Sequence, residues 1–196
     1  MNHAATLLGS VAAEDAKTFE GLMRAYHKRV YNLAYRMTGD ADEAEDLTQE
    51  AFLRAYRSFG SYRPELPFQN WIFRIMSNLK IDRYRKQPKV RVVSLDAALQ
   101  QEDGEVTFEI PDWTENPEQA TMTKELENAI QDGLKHLPVN FRMAVALVDI
   151  EGLSYEETAE VMKTSVGTVR SRVFRGRQIL RERVSRYLNE GLGVTE

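Results

Sequence analysis

The segment from Thr164 to Val184, TSVGTVRSRVFRGRQILRERV, concentrates guanidinium groups in a chain whose net charge is −4. One acid, Glu182, stands among six arginines, which are Arg170, Arg172, Arg175, Arg177, Arg181 and Arg183. Guanidinium groups fork onto guanine edges and pair with phosphates, so this composition suits contact with a nucleic acid. The alternative interpretation is a solvated, arginine-rich helix surface.

Helical periodicity separates this segment into an apolar side and a polar side. The apolar side consists of Val166, Val169, Val173, Gly176, Leu180 and Val184. Ser171 points away from the apolar side. The predicted DNA contacts form the polar side centred on Ser171, and they are Ser165, Thr168, Arg170, Ser171, Arg172, Phe174 and Arg175. Short hydroxyls surrounded by guanidinium groups suit a major groove, and the helix N-terminus favours a phosphate. Phosphate contacts are expected further along, at Arg177, Arg181, Arg183 and Arg186.

The residues before this segment predict the element that would position it. Ser154 and Glu157 have the spacing of a capping box, which predicts a short helix from Tyr155 to Met162. A turn at Lys163 and Thr164 then leads to Ser165, a favourable N-cap for the basic helix. A capped short helix, a tight turn and a longer basic helix are the order of a helix-turn-helix.

A second basic segment closes the first half of the chain. Its predicted contacts with single-stranded DNA are Arg74, Asn78, Lys80, Arg83 and Arg85. Phe73 and Tyr84 are interleaved with them, and aromatic rings offer stacking surfaces for unpaired bases. Asparagine makes paired contacts with a base edge. For the two aromatic rings, partial burial is the alternative.

An acidic helix carries a different kind of surface. Asp46, Gln49, Glu50 and Leu53 recur at i, i+3, i+4 and i+7, so they share one stripe. That stripe differs from the predicted buried side, which is Ala44, Leu47, Ala51, Ala55 and Phe59. An exposed leucine among acids suits a protein partner, whereas a solvated acidic face is the alternative.

Apolar periodicity predicts an all-α fold with two helical domains joined by a flexible acidic linker, the C-terminal domain being the helix-turn-helix. The predicted boundaries are a tail at 1–14, a helical domain at 15–86, the linker at 87–118 and the second domain at 119–192. Within the first domain we expect a helix from Ala16 to Thr38 closed by Gly39, and a cap at Asp40 or Asp42. A loop from Gly60 to Pro67 precedes a third helix.

Composition excludes several classes of function. The chain has no cysteine, which excludes disulfides, thiolate zinc sites and cysteine nucleophiles. The three histidines are scattered, and no nucleophile–base set, metal spacing or phosphate loop is present, so we expect no catalytic residue, metal, cofactor or small-molecule substrate. No long apolar run or secretory signal is found, so we expect a cytoplasmic protein without membrane insertion.

Three motifs resemble one family. SYEETAEVMKTSVGTVRSRVFRGRQIL resembles the C-terminal DNA-binding domain of bacterial RNA polymerase sigma factors, in the version typical of the extracytoplasmic-function (ECF) group. DADEAEDLTQEAFLRAYRSF resembles the sigma segment that grips core polymerase, and FQNWIFRIMSNLKIDRYRK resembles the segment that opens and reads the minus-10 element. The resemblance covers residues 16–192 and keeps the family's order.

The resemblance implies a promoter-recognition subunit with three partners, namely core RNA polymerase, promoter DNA and an anti-sigma factor. Residues 15–86 would be sigma region 2 and residues 119–192 sigma region 4, which reads the minus-35 element. Asn78 would read a base flipped from the minus-10 strand, and the loop from Gly60 to Pro67 leading to Phe68 would form the side of the pocket for that base. The stripe on the acidic helix would bind a coiled-coil clamp helix of the largest polymerase subunit.

Two alternatives stay open at this point. The linker acids Glu102, Asp103, Glu105 and Glu109 would mimic RNA in the polymerase channel, or the linker is a plain tether. The second alternative is a DNA-binding regulator that uses only its helix-turn-helix. Transcription with core polymerase alone discriminates this regulator from a sigma factor.

Overall fold

The computed structural model describes residues 18–86 and 117–191 of the chain, with side chains described for 18–84 and 126–185. Every regular element in these stretches is helical, as predicted. The helices are α1 (Phe19–Thr38), α2 (Ala41–Arg57), a 3₁₀ turn (Phe59–Ser61), α3 (Phe68–Lys86), α4 (Pro117–Lys135), α5 (Val139–Val145), a π-helical turn (Ala146–Ile150), α6 (Tyr155–Met162) and α7 (Val166–Gly191). None of these helices is both long enough and apolar enough to cross a membrane.

Local side-chain chemistry sets the boundaries of the N-terminal helices. Gly39 ends α1 in the left-handed region with φ of 73°, where glycine has no steric penalty. Asp40 then caps α2 by accepting a hydrogen bond from the backbone N–H of Glu43 at 2.9 Å. The sequence left Asp40 and Asp42 as candidates for this cap, and Asp40 fills it. The predicted helix start at Ala16 and the tail at 1–14 lie outside the described residues.

The N-terminal half packs the apolar stripes of α1, α2 and α3 together. Buried members include Val30, Leu33, Met37, Ala44, Leu47, Ala51, Ala55, Ile72, Met76 and Leu79. Phe59 is only half-buried, because α2 ends at Arg57 and Phe59 begins the 3₁₀ turn. Its ring joins an aromatic layer with Phe19 and Trp71 at centroid separations of 5.2 and 6.3 Å.

The C-terminal half contains the predicted helix-turn-helix. Ser154 and Glu157 form both bonds of the capping box, at 2.9 and 3.1 Å. Lys163 turns the chain with φ of 51°, and Ser165 accepts from the backbone N–H of Thr168 at 3.1 Å as the N-cap of α7. These predictions are confirmed.

A π-helical turn was not predicted. Helix α5 widens after Val145 into the π turn at Ala146–Ile150. The backbone N–H of Glu151 bonds the carbonyl of Ala146 at 2.9 Å, which is the i to i+5 spacing of a π turn. Glu151 directly follows this turn and contacts Arg29 of the N-terminal half.

The two halves pack against each other, a contact that the sequence did not predict. Helix α3 lies against α6, and α1 lies against α4 and the π turn. Residues from both halves join one contiguous buried cluster. The predicted linker falls outside the described residues except for its last two positions, because α4 already begins at Pro117.

Two glycines of α7 provide a stability test. A Cβ at Gly176 would lie 2.5 Å from Val145 Cγ2, whereas the nearest such atom at Gly167 is Ser165 Oγ at 4.0 Å. Gly176→Ala should therefore lower the free energy of unfolding by about 1–3 kcal/mol through overpacking. Gly167→Ala should raise it by up to about 1 kcal/mol through helix propensity. Urea denaturation measures both, and equal effects of the two changes would contradict the close packing of α7 on α5.

Candidate nucleic-acid interface

Helix α7 turns one side into the C-terminal half and the other to solvent. Val169 and Val173 are buried, and Gly176 allows the helix axis to approach α5 closely. Ser171, on the opposite side, is exposed. The structure therefore places the predicted contact surface outward, with its orientation set by the valines beneath it.

The predicted contact residues on α7 all retain access to solvent. Ser165, Arg170 and Ser171 are exposed, and the half-exposed members are Thr168, Arg172, Phe174 and Arg175. Ser171 donates its hydroxyl to the Thr168 carbonyl at 3.0 Å, which leaves its oxygen to accept from a base amino group. Ser165 and Thr168 hydroxyls lie 2.8 Å apart, so these two side chains form one polar patch.

Arg170 is supported from the preceding helix. Its guanidinium carbon lies 5.8 Å from the centre of the Tyr155 ring, a cation–π geometry. Tyr155 is not among the predicted contact residues. The one local indication of its supporting role is its position directly after the N-cap of the first helix of the helix-turn-helix.

Arg177 differs from its predicted role as a phosphate contact. Its Nη2 donates to Asp149 Oδ1 at 2.6 Å and its Nε donates to Asp149 Oδ2 at 3.1 Å, with both side chains largely buried. The hydrogen bond to Asp149 raises the pKa of Arg177. This bidentate pair ties α7 to the π turn, so Arg177 acts inside the fold. Arg181 and Arg183 are exposed, whereas the side chain of Arg186 lies outside the described residues.

Helix α3 carries the second predicted surface. Arg74 and Arg83 are exposed, Asn78 is half-exposed, and the side chain of Arg85 lies outside the described residues. Lys80 is half-buried, and burial lowers the pKa of its ammonium group. Lys80 and Arg83 line a polar cleft together with Asp46 of the predicted protein-binding stripe. The structure thus brings these two predicted sites side by side.

Phe68 and Phe73 are buried, whereas the prediction placed their rings where unpaired bases could reach them. Phe68 is 3% exposed because the rings of Tyr26, Tyr62 and Trp71 surround it at 5.2–5.6 Å. Phe73 is fully buried. Neither ring has a free face for a base in this arrangement. Tyr84, in contrast, is 40% exposed.

The stripe on α2 faces solvent. Asp46 and Gln49 are exposed, Leu53 is 44% exposed, and Glu50 pairs with Arg54 at 2.8 Å. Tyr56, which is 67% exposed, extends the apolar part of the stripe by one turn. Tyr56 is not among the predicted residues of the stripe, although its i+3 spacing from Leu53 indicates that it lies on the same side of α2.

Comparison with known proteins identifies two family domains in the chain. Sigma-70 region 2 matches residues 22–90, and Sigma-70, region 4 matches residues 127–180. The first match contains the stripe on α2 and the surface on α3, and the second contains the helix-turn-helix up to Leu180.

Several curated proteins are similar over most of this chain. The ECF RNA polymerase sigma factor SigE of Mycolicibacterium smegmatis is 42% identical over 88% of this chain and 64% of its own length. RNA polymerase sigma-H factor of Pseudomonas aeruginosa is 36% identical over 94% of this chain and 95% of its own length. ECF RNA polymerase sigma factor SigW of Bacillus subtilis is 38% identical, with coverages of 87% and 90%. The chain thus spans slightly less than two thirds of the first relative and nearly all of the other two.

Two solved structures share the fold. The sigma factor RpoE in complex with the anti-sigma factor NepR from Bartonella quintana aligns with a TM-score of 0.62 at 23% identity, over 85% of this chain and 96% of that one. CnrH in complex with the cytosolic domain of CnrY aligns with a TM-score of 0.57 at 21% identity, over 88% and 94%.

Arg175 and Arg177 make a matched pair for testing the outer surface of α7. Arg175→Ala should reduce the preference for the cognate duplex over random duplex by about 1–3 kcal/mol, because a base contact is lost. Arg177→Ala should instead lower the free energy of unfolding by about 3 kcal/mol, because Asp149 is left buried and unpaired. Fluorescence anisotropy with both duplexes and thermal denaturation separate the two effects. Equal losses on specific and random DNA would show Arg175 to be only a phosphate contact.

Proposed function

The chain belongs to the extracytoplasmic-function group of RNA polymerase sigma factors, and we propose that it binds core RNA polymerase and directs initiation from promoters whose minus-35 and minus-10 elements it reads. One observation carries this proposal. The chain has outward polar surfaces on α7 and on α3, and an exposed stripe of acids and Leu53 on α2. A regulator that used only the helix-turn-helix would not need the other two.

For the minus-35 element, we assign reading to α7 in the major groove. The guanidinium groups of Arg170 and Arg175 flank the Ser171 and Thr168 hydroxyls, which matches the donor and acceptor pattern of base edges. The exposed Arg181 and Arg183 lie further along the helix, where phosphates fix register without reading sequence. In this assignment residues 119–192 act as sigma region 4.

For the minus-10 element, we assign capture of the melted strand to α3 and residues 15–86. Opening DNA costs about 1.4 kcal/mol per base-pair step, so contacts made only with the unpaired strand must offset that cost. Asn78 is half-exposed, with the exposed Arg74 one turn away, which combines a base-edge contact with a cation for the backbone.

For core polymerase, we assign the α2 stripe of Asp46, Gln49, Glu50 and Leu53. Its partner is the coiled-coil clamp helix of the largest subunit, where the leucine buries and the acids meet basic groups at the rim. The exposed Tyr56 adds apolar area to the same patch.

Regulation by an anti-sigma factor is part of the proposal. The sigma factor RpoE was solved in complex with the anti-sigma factor NepR, and CnrH in complex with the cytosolic domain of CnrY. We infer a corresponding protein partner, an anti-sigma factor, for this chain. We place the protein in the cytoplasm, where polymerase and chromosome are found. The acids of the linker at 87–118 remain either an RNA mimic or a tether.

Run-off transcription tests the proposal as a whole. Purified chain, core polymerase and a library of genomic fragments should yield discrete transcripts with a shared upstream motif, and omission of the chain should remove them. If discrete transcripts appear only when a different sigma factor is supplied, the chain is a regulator and the proposal is wrong.

The α2 stripe makes a specific prediction. Glu50→Arg combined with Leu53→Ala should abolish co-purification with core polymerase, because the double change reverses a rim charge and removes the apolar contact. The protein should stay folded, since Leu53 faces solvent. Glu20→Arg is the control, because it breaks an exposed pair with Arg24 on α1 that contributes little to stability. Holoenzyme formation by the double variant would show that the stripe serves another partner.

Asn78 makes a second prediction. Asn78→Ala should leave core binding intact, yet reduce open-complex formation about tenfold and blur one base preference in the minus-10 element, because a base contact is lost. A pre-melted template should restore activity in part but not the preference. Asn32→Ala, an exposed asparagine on α1, is the matched control. Permanganate reactivity of promoter thymines measures opening, and unchanged reactivity with an unchanged preference would remove Asn78 from this role.

A further inference from the structure

A polar seam joins the two halves of the chain, and Arg29 lies at its centre. From α1, Arg29 Nε donates to Glu151 Oε2 at 3.2 Å and its Nη2 donates to the Glu151 carbonyl at 3.1 Å. Gln69, at the start of α3, accepts from Arg29 Nη1 at 2.5 Å and donates to the Glu151 carbonyl at 3.5 Å. Glu151 directly follows the π turn, so this cluster connects α1 and α3 to the entrance of the helix-turn-helix.

Further hydrogen bonds extend the seam in both directions. Asn70 on α3 donates to Glu157 Oε1 on α6 at 3.0 Å. At the end of α1, Arg142 donates to the Met37 carbonyl at 2.7 Å and Gln131 donates to the Tyr35 carbonyl at 3.1 Å. The Tyr35 carbonyl also accepts from the backbone N–H of Gly39, whereas the Met37 carbonyl lies in the last turn, where carbonyls lack intrahelical partners and carry partial negative charge. A guanidinium is therefore a favourable ligand for Met37. The C-terminal half therefore helps to cap α1.

The two side chains of the Arg29–Glu151 pair differ strongly in their exposure to solvent. The Glu151 side chain is only 5% exposed, whereas that of Arg29 is 44% exposed. Burial raises the pKa of the Glu151 carboxyl, and the Arg29 guanidinium opposes that rise. Without Arg29 the buried carboxylate would lose its hydrogen-bonded ion-pair partner and keep only the charge of Arg36 nearby, so separation of the halves, which returns it to water, would be favoured.

The geometry of a promoter is incompatible with this packing. Packed helices lie roughly 8–10 Å apart, and α3 rests directly on α6. The minus-10 and minus-35 elements are about 25 base pairs apart, which is about 85 Å of duplex at 3.4 Å per base pair. One chain cannot read both elements while α3 and α6 touch. The residues between the two described stretches can reach roughly 100 Å when extended, which is enough for the open form.

We propose that the Arg29–Glu151 pair is an internal lock, which holds the free chain closed and which core polymerase and promoter DNA release. The proposal rests on the proposed function, since the promoter spacing supplies the reason to open. The α2 stripe is exposed in the closed form, so polymerase can bind it first. Opening follows because only the open form can engage the distant sites, and a ligand shifts an equilibrium only by binding one state better.

Distance measurement between the halves tests the lock. The chain has no cysteine, so Arg63→Cys and Glu160→Cys, at one exposed position in each half, accept spin labels without background. Pulsed electron paramagnetic resonance should give one short distance for the free protein. Arg29→Glu should raise the long-distance population at least about fivefold. Arg29→Glu combined with Glu151→Arg should restore most of the short-distance population, because the pair can form with its charges reversed.

Controls keep the outcomes distinct. Arg24→Glu makes the same charge change on α1 at an exposed residue whose ion pair, with Glu20, lies within the same helix, and it should leave the distances unchanged. Circular dichroism confirms that each variant is folded. Adding core polymerase and promoter DNA to the labelled parent should lengthen the distance by several nanometres.

Three results would overturn the lock: long distances in the free parent, unchanged distances in folded Arg29→Glu, or a short distance in the promoter complex. The first two measurements contain no polymerase or DNA, so they are independent of the proposed function. Normal run-off transcription with unchanged distances in Arg29→Glu would remove the lock and leave the function standing. If Arg29→Glu opens the chain as expected but run-off transcription gives no discrete transcripts, the lock stands and the proposed function is wrong.

Discussion

The close approach of α7 to α5 at Gly176 is the constraint on which the C-terminal half depends. It brings the next residue of α7, Arg177, within reach of Asp149 on the π turn. The bidentate pair fixes that turn, and two residues later the chain presents Glu151 to Arg29. A single close contact between helices therefore orients the outer surface of α7 and also places the residue that joins the two halves.

Helix α3 carries its two tasks on neighbouring parts of its surface. Asn70 donates to Glu157 of α6, and Arg74 follows it by four residues, one turn along the same side of the helix. Arg74 is nevertheless exposed and Asn78 is half-exposed. The residues assigned to the minus-10 strand thus remain accessible to solvent when the halves are packed, next to the contact that must separate.

The elements that the sequence predicted are those with local causes. Gly39, Asp40 and the Ser154–Glu157 box act within four residues of the helix ends that they define, so their signals are visible in a short stretch of sequence. The outward side of α7 followed from its valines at helical spacing. The remainder depends on residues distant in the chain: Phe68 lies in an aromatic layer, Arg177 binds Asp149, and Phe73 is covered. A stripe of apolar residues indicates that a side is buried, but it does not identify the partner, and an arginine on a basic helix carries no mark that its ligand is internal.

Glu157 has one carboxylate oxygen in each of two interactions. Oε2 accepts from the backbone of Ser154 inside the C-terminal half, and Oε1 accepts from Asn70 across the seam. Separation of the halves breaks only the second bond, so α6 keeps its N-terminal cap and stays formed. Opening is then a rigid-body movement without local unfolding, for which the expected timescale is about microseconds to milliseconds. Its heat-capacity change should be far smaller than that of unfolding, since only the apolar area of the seam becomes hydrated.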